Sequence, residues 1–498
     1  MATSTAPNLV STNPSTHEPV GSVRRTHPGE VPQLVAVARS AQERWRALEL
    51  DARGKVMRAA ARVIRTHADG IADSIVAETA KPRTEAIANE LYTAVDHALW
   101  LAKEAPGVLA DERVRFSQLH LKTKKAWHVY EPLGVVAAIT PWNIPFGIPF
   151  VQTATAVAAG NGVLLKPSEL TPLTAEWIPQ VLEEAGAPAG LVQIVHGEAD
   201  AGEALVLEPG IAKIFFTGSV STGRRVAAAA AARGCPVVLE LGGKDPMLVF
   251  ADADLERAVD GALFASFLNA GQACVSTERI YVERDVYEDF VERLDTRARG
   301  LKLGDEVGPL ISERQRDAVE RLTAAPRAER DGWFVEPTVV RGALPDVEIF
   351  GPVVTVEPFD GEDDAVRRAN DTEFGLAASV WSRDLAKADR VARRIEAGMV
   401  WVNDFGYSFG IGQSAWGGVK SSGYGRTSSK HGLYECVHVK YLDSDRGRLR
   451  PAWWFPYDAR TEHSLRVALD VLYGEGLERW RTAWKHRGAL RHLIGRSR

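Results

Sequence analysis

The chain has 498 residues, with 60 Lys+Arg against 65 Asp+Glu and a net charge of −5; so mild a balance gives no electrostatic drive toward nucleic acid and leaves a small molecule as the expected partner. More than one core is expected at this length, because single cores stop growing near about 250–300 residues. Three cysteines, Cys235, Cys274 and Cys436, fit neither a disulfide framework nor a zinc site, which suits a reducing, cytoplasmic setting with no metal.

The first residues, MATSTAPNLVSTNPSTHEPVGSV, are rich in Ser, Thr and Pro, and no basic stretch leads into an apolar run. They read as a frayed strand rather than a secretory signal. Helical periodicity follows over 31–65 and again over 68–104, predicting amphipathic surface helices. TKKAWHVYEPLGVVAAIT alternates in its first half and is continuously apolar in its second, predicting a half-exposed strand and then a buried parallel strand. The most apolar stretch, 133–165, carries Pro141, Asn143, Pro145, Pro149, Gln152 and Asn161, which a lipid-exposed span would leave unsatisfied, so it reads as protein interior. Beyond it, GVLLK, VQIVHG, KIFFTGS and PVVLELGG alternate with helical stretches at 174–184 and 222–232, the βαβ signature of a doubly wound sheet. After Gly243 a second series, PMLVF, RIYVE, EPTVV, PVVTVEPF, ASVWS and MVWVND, is interleaved with helices at 255–267 and 286–301 and predicts a second α/β domain.

Three residues are candidates for chemistry. Cys274 lies in FLNAGQACVSTERIYV between a predicted helix and a strand, with Gly271 permitting a tight turn beside it. A loop thiol there can face a cleft as a nucleophile, or pack as a small hydrophobe, the commoner fate of a cysteine. Glu240 emerges at the end of the strand in VVLELGGK, before two glycines that let backbone pass close to a ligand; the alternative is an ion pair with Lys244. Asn143, in PWNIPF, stands between two prolines that fix the direction of its amide; the alternative is a turn asparagine.

Six motifs occur in one order: PWNIP, KPSE, FTGS, LELGGK, FxNxGQxC and EIFGPV. In that order, over 14–442, they resemble the aldehyde dehydrogenase superfamily. The resemblance implies an α/β aldehyde dehydrogenase fold: a doubly wound NAD(P)-binding domain at 1–115 and 132–241, a catalytic α/β domain at 242–415, and a small β oligomerisation arm at 116–131 and 430–445. Residues 446–498 would then be a basic amphipathic extension. It also implies NAD(P)+-dependent oxidation of an aldehyde to its acid, with Cys274 as nucleophile, Glu240 as general base, and Asn143 with the Cys274 N–H as oxyanion donors. One such donor is worth roughly 3–4 kcal/mol in the transition state. Glu240 can activate the water that hydrolyses a thioester, provided burial raises its pKa toward neutrality.

The cofactor residues follow from the same comparison. Strand GVLLK delivers Lys166, and KPSE adds Ser168 and Glu169; an ammonium and a carboxylate there suit ribose hydroxyls. Glu169 would repel a 2′-phosphate, which favours NAD, with NADP the alternative. FTGSVSTG sets Gly218 and Ser219 before a helix and Gly223 at its start, where N–H groups and the helix dipole suit a pyrophosphate. The resemblance adds Trp142 and Leu241, and makes Glu348 and Phe350 a clamp on the nicotinamide side. A plain turn and a core aromatic would be their structural reading.

Ile144, Ile148 and Val275, with Phe405, Tyr407, Phe409 and Trp416 of NDFGYSFGIGQSAWGG, are expected at the substrate mouth, although such aromatics also pack loops. That loop holds no Arg or Lys for a second carboxylate, favouring an apolar aliphatic or aromatic aldehyde. CVSTERIYVE and the long C-terminus instead resemble a bacterial subgroup labelled succinate-semialdehyde dehydrogenase. Rival readings are a CoA-acylating enzyme, against which Glu240 speaks, and a non-catalytic protein retaining the fold, against which the full residue set speaks. A compressed stretch over 301–337 touches none of the named residues. By resemblance 433–442 pairs with 122–130 as the arm of a homodimer or homotetramer. Cys235 and Cys436 are expected to be packing residues, the latter in an alternating strand. The tail sets Leu465, Ala468, Leu469 and Leu472, then Leu477, Trp480 and Trp484, at helical spacing among many cations. Packing on its own protein or a neighbouring subunit is expected, with an anionic membrane surface the less favoured alternative.

Overall fold

GVLLK has no polar side chain before its lysine and forms the strand Gly162–Lys166, buried along its whole length. Val135–Ile139 beside it is equally buried, as parallel strands covered on both faces must be. The computed structural model describes residues 8–118, 121, 123–446, 450–451 and 453–496. Parts of the expected segments lie outside the described residues: 1–7 of the leading strand, Leu119, His120 and Lys122 of the arm, and Gly447, Arg448, Leu449, Ala452, Ser497 and Arg498 of the tail.

Two compact units result, one made of 1–109 and 132–438, the other of 110–131 and 439–498. The first holds two six-stranded sheets. One runs Gly423–Tyr424, Val237–Glu240, Ile214–Thr217, Val135–Ile139, Gly162–Lys166, Val192–Ile194. It is parallel except for Gly423–Tyr424, which returns from far along the chain to pair antiparallel with Val237–Glu240. Successive strands build outward from Val135–Ile139 in one direction and then, from Ile214–Thr217, in the other. The crevice at the carboxyl ends of those two strands is where ligands bind in such sheets. The other sheet runs Thr338–Arg341, Val353–Phe359, Thr277–Glu283, Asp245–Val249, Ala377–Trp381, Met399–Val402, all parallel.

The long helical stretches are broken where periodicity is blind. The first, 31–65, becomes Val31–Arg46 and Leu50–Thr66, because Glu49 is extended. The second, 68–104, becomes Ala68–Thr79, Arg83–Glu85, a wide π turn over Ala86–Leu91, and Tyr92–Val108. Ala80 takes a left-handed φ of 51°, and Pro82 cannot donate to a continuing helix.

Near the C-terminus, Ser429–Glu435 is a helix, and the strand expected from 433 starts only at Val437. Cys436 therefore closes a helix rather than alternating in a strand; its N–H donates to the Leu433 carbonyl at 3.0 Å, and its thiol is buried. In the second unit, Val437–Asp445, Lys124–Pro132 and Glu112–Val114 form one sheet in that order. Glu112–Val114, expected within the cofactor domain, pairs antiparallel with Lys124–Pro132 instead, so this unit begins at Ala110. The same unit ends in the helices Ala459–Tyr473, Glu478–Lys485 and Arg487–Arg496.

Candidate active site

The chain reverses after Leu255–Phe267 through three consecutive left-handed residues, Asn269, Ala270 and Gly271, with φ of 52°, 56° and 71°. Gly271 is required there, since a Cβ would lie 2.0 Å from the Gly351 carbonyl oxygen. Non-glycine residues in this region cost on the order of 1–3 kcal/mol each and persist only where their surroundings hold them. Here the hold is visible. The Asn269 side-chain amide donates to the Asn143 and Gln272 carbonyls, both at 3.0 Å, and its backbone N–H donates to the Glu85 carboxylate at 3.1 Å. Buried Gln272 accepts from Ile311 N–H at 2.9 Å and donates to Pro309 O at 3.2 Å. Two residues later the loop presents Cys274, half-buried, ahead of the strand Thr277–Glu283.

Asn143 follows the strand Val135–Ile139, and its side-chain amide donates to the Gln272 carbonyl at 2.9 Å. Its backbone oxygen accepts from Lys81 Nζ at 2.7 Å; that ammonium also pairs with Glu90 at 2.9 Å, and Glu90 accepts from the N–H groups of Phe146 and Gly147 at 2.7 and 3.2 Å. Lys81 and Glu90 are only 4% and 0% exposed, a buried pair whose disruption costs about 3–5 kcal/mol. The PWNIPFG loop is therefore clamped from behind, and both clamp residues come from the stretch whose periodicity predicted one unbroken helix.

Glu240 ends the strand Val237–Glu240 with 5% exposure, and neither carboxylate oxygen has a partner among the described residues. Burial raises its pKa well above the usual carboxylate range, only partly offset by Arg426. The ion pair considered with Lys244 does not form: Lys244 pairs with Glu278 at 2.7 Å, both buried, and Glu278 accepts from the N–H groups of Ile349 and Phe350. Burial also pushes the Cys274 thiol up, reinforced by the carboxylates of Asp245, Glu348 and Glu240. Asp245 is itself buried and raised, with one oxygen accepting from Ala377 N–H at 3.1 Å.

Cys274 and Glu240, with Ile148, Thr217 and Leu241, line two cavities at once. One, of ≈380 Å³, brings together Ile144, Ile148, Val275, Phe405, Tyr407, Phe409 and Trp416, and adds the unanticipated Val151, Phe264 and Leu268. The other, of ≈290 Å³, is lined by Trp142, Asn143, Gly218, Ser219, Leu241, Glu348 and Phe350. In it Phe350 meets Trp142 edge-on at 5.4 Å, and Glu348 accepts from Gly243 N–H at 3.3 Å. Burial and the neighbouring Glu278 push the Glu348 carboxyl up to about 8. A Cβ on Gly242 would meet that carboxylate at 2.3 Å.

Lys166, Ser168, Glu169 and Gly223 do not line this second cavity. Lys166 and Ser168 are buried at the carboxyl end of Gly162–Lys166, with Lys166 Nζ donating to Pro167 O at 2.9 Å and 3.8 Å from Glu169. Gly223 offers no unbonded N–H to an anion, because that N–H already bonds Ser219 O at 2.9 Å inside the helix Val220–Ala231. Its contribution is steric: a Cβ would lie 2.5 Å from Leu241 Cδ2, so its lack of side chain lets Leu241 sit in the cavity wall. Ser219 caps the helix, accepting weakly from Thr222 N–H at 3.4 Å.

Residues 2–442 match the aldehyde dehydrogenase family. A betaine aldehyde dehydrogenase of Rhizobium leguminosarum bv. trifolii is 37% identical over 453 residues, 86% of this chain and 92% of that protein. Betaine aldehyde dehydrogenase 2 of Rhizobium meliloti is 37% identical over 460 residues, 88% and 94% of the two chains. Among solved structures, betaine aldehyde dehydrogenase from Staphylococcus aureus in complex with NAD+ superposes with a TM-score of 0.85 at 33% identity, covering 90% of this chain and 94% of that one. PnpE from Pseudomonas sp. WBC-3 gives 0.85 at 31% identity, covering 90% and 96%.

Proposed function

The chain belongs to the aldehyde dehydrogenase family, and from that premise we propose that it oxidises an uncharged apolar aldehyde, aliphatic or aromatic, to the carboxylic acid with NAD+. The observation that carries this reading is the position of Cys274 and Glu240 in the common wall of an apolar cavity and a second one lined by glycine turns and aromatic rings.

The second cavity fits a dinucleotide. It lies at the strand-order reversal and is lined there by the backbone turns at Gly218 and Gly242. Trp142, Phe350 and Glu348 would hold the nicotinamide end, Gly218 and Ser219 the pyrophosphate, and Lys166, Ser168 and Glu169 the adenosine ribose, with Glu169 favouring NAD+ over NADP+. When bound, NAD+ supplies the hydride acceptor.

The chain's own residues do the rest. The Cys274 thiol gives up its proton to solvent water as its sulfur bonds the aldehyde carbon, and the carbonyl becomes an oxyanion held by the Asn143 amide and the Cys274 N–H. Departure of hydride leaves a thioester on Cys274. A water deprotonated by Glu240 adds to it, the C–S bond breaks, the acid departs, and the thiolate takes the proton held by Glu240, restoring both groups. A carboxylate with no partner and a raised pKa is suited to taking that proton near neutral pH. In the same reading, the sheet containing Val135–Ile139 is the cofactor layer, the sheet containing Thr277–Glu283 the catalytic layer, and the antiparallel sheet the arm of a homodimer or homotetramer.

Among the described residues no Lys or Arg lines the ≈380 Å³ cavity, which disfavours a dicarboxylic semialdehyde such as succinate semialdehyde. A second reading follows from the relatives' names and from the faces of Phe264, Phe405, Tyr407, Phe409 and Trp416, which suit a quaternary ammonium group. The test is kcat/KM for straight-chain and aromatic aldehydes, betaine aldehyde and succinate semialdehyde, each with NAD+ and NADP+. The apolar aldehydes should lead by roughly tenfold or more. A lead for betaine aldehyde would replace the first reading with the second, and acyl-CoA formation outpacing acid release would overturn hydrolysis by Glu240.

A further inference from the structure

We propose that segment 446–498 docks the protein on an anionic lipid surface through the helices Glu478–Lys485 and Arg487–Arg496. The whole chain is mildly acidic, yet this segment carries twelve Lys and Arg against five Asp and Glu, and no acid follows Glu478. Leu477, Trp480 and Trp484, spaced three and four apart, share one helical face. They are 74%, 62% and 76% exposed, and Ile494 on the next helix is 60% exposed. Such a group of large apolar side chains is costly in water and marks an interaction surface.

The chemistry around that face selects the occupant. The Arg479 guanidinium lies 4.8 Å from the Trp480 ring and that of Arg487 5.4 Å from the Trp484 ring, so each exposed indole is flanked by a cation. Amphipathic indoles favour the headgroup level of a bilayer, and long cationic side chains reach its phosphates while their stems stay among the acyl chains. A second copy of the chain would need an apolar pocket rimmed by acids placed to match these cations. An unbroken cationic run instead suits a diffuse anionic surface. No described helix is long and apolar enough to cross a membrane, so the helices lie on the surface.

The test is sedimentation of the full-length protein with vesicles of phosphatidylcholine alone and of phosphatidylcholine mixed with phosphatidylglycerol. Pelleting should occur with the mixed vesicles only and be lost at high salt, as screening requires. The double variant Trp480→Ala/Trp484→Ala should weaken partitioning by about tenfold or more, with aldehyde oxidation and molar mass by light scattering unchanged. Arg481→Glu/Lys485→Glu should abolish it with the circular dichroism spectrum intact. Failure of the parent protein to pellet at low salt, or equal pelleting by both double variants, would overturn the proposal. So would a fall in molar mass of the Trp variant with no lipid binding by the parent, which would make this face a contact between copies.

Discussion

The two cavities that meet at Cys274 are built from different materials. The larger is walled by side chains: Ile148 and Val151 from the helix Gly147–Ala158, Phe264 from Leu255–Phe267, and the aromatics of the 405–416 loop. The smaller is shaped by backbone, with Gly218 in its lining and Gly242 packed so closely on Glu348 that one added carbon has no room. Side-chain walls can be recut one residue at a time, whereas glycine turns admit no such variation. On this account, substitutions in the first cavity change which aldehyde is used, and substitutions in the second change whether any is.

The largest effect bearing on this contrast should come from the residue of the smaller cavity that would face the reacting carbonyl. Asn143→Ala should lower kcat by about 10²–10³ in steady-state assays, with KM for aldehyde and NAD+ changing far less. Lys81→Met comes next: it leaves Glu90 buried without its cation and the Asn143 carbonyl with the Asn269 amide but not the ammonium as donor. Thermal unfolding should register about 3–5 kcal/mol of lost stability, and kcat should fall more than KM, because Lys81 positions Asn143 without reaching either cavity lining. Arg at this position should recover part of both.

Smaller effects separate the two cavities. Gly242→Ala should raise KM for NAD+ by roughly tenfold while leaving the ranking of aldehydes intact; Phe409→Ala should lower kcat/KM for apolar aldehydes by a similar factor, worth about 1–2 kcal/mol of buried surface, with KM for NAD+ unchanged. If Phe409→Ala shifted the cofactor constant instead, the cavities would not be independent. A separate effect is in pH. A carboxyl raised to about 8 in the folded protein holds its proton more tightly than in the unfolded chain. Its contribution is therefore full below the unfolded value and is lost as pH rises through about 8. Chemical denaturation of the cofactor-free protein should show that decline, and Glu348→Gln should flatten it.

Much of this was legible in the sequence for reasons of physics. Apolar runs too short for helices announced the parallel strands; the strand-end and loop placements of Glu240 and Cys274 fall at the meeting point of the two cavities, and Asn143 falls in the wall of the smaller one. What stayed hidden depends on distance along the chain. Lys81 and Asn143 are 62 positions apart, and Lys244 and Glu278 are 34; helical periodicity says nothing about such pairs. Pro82 was the available signal that the segment from 68 onward breaks. Gly223 misled because a glycine near a helix start suggests an anion site, whereas its small size is what Leu241 needs. Cys436 misled because YECVHV alternates like a strand before the chain has left the helix Ser429–Glu435.

In the proposed cycle Glu240 serves the water rather than the sulfur. Stopped-flow NADH formation by Glu240→Gln with a saturating apolar aldehyde measures this directly. A burst of about one NADH per active site followed by near-zero turnover is the predicted trace. Steady turnover at the parent rate would contradict it.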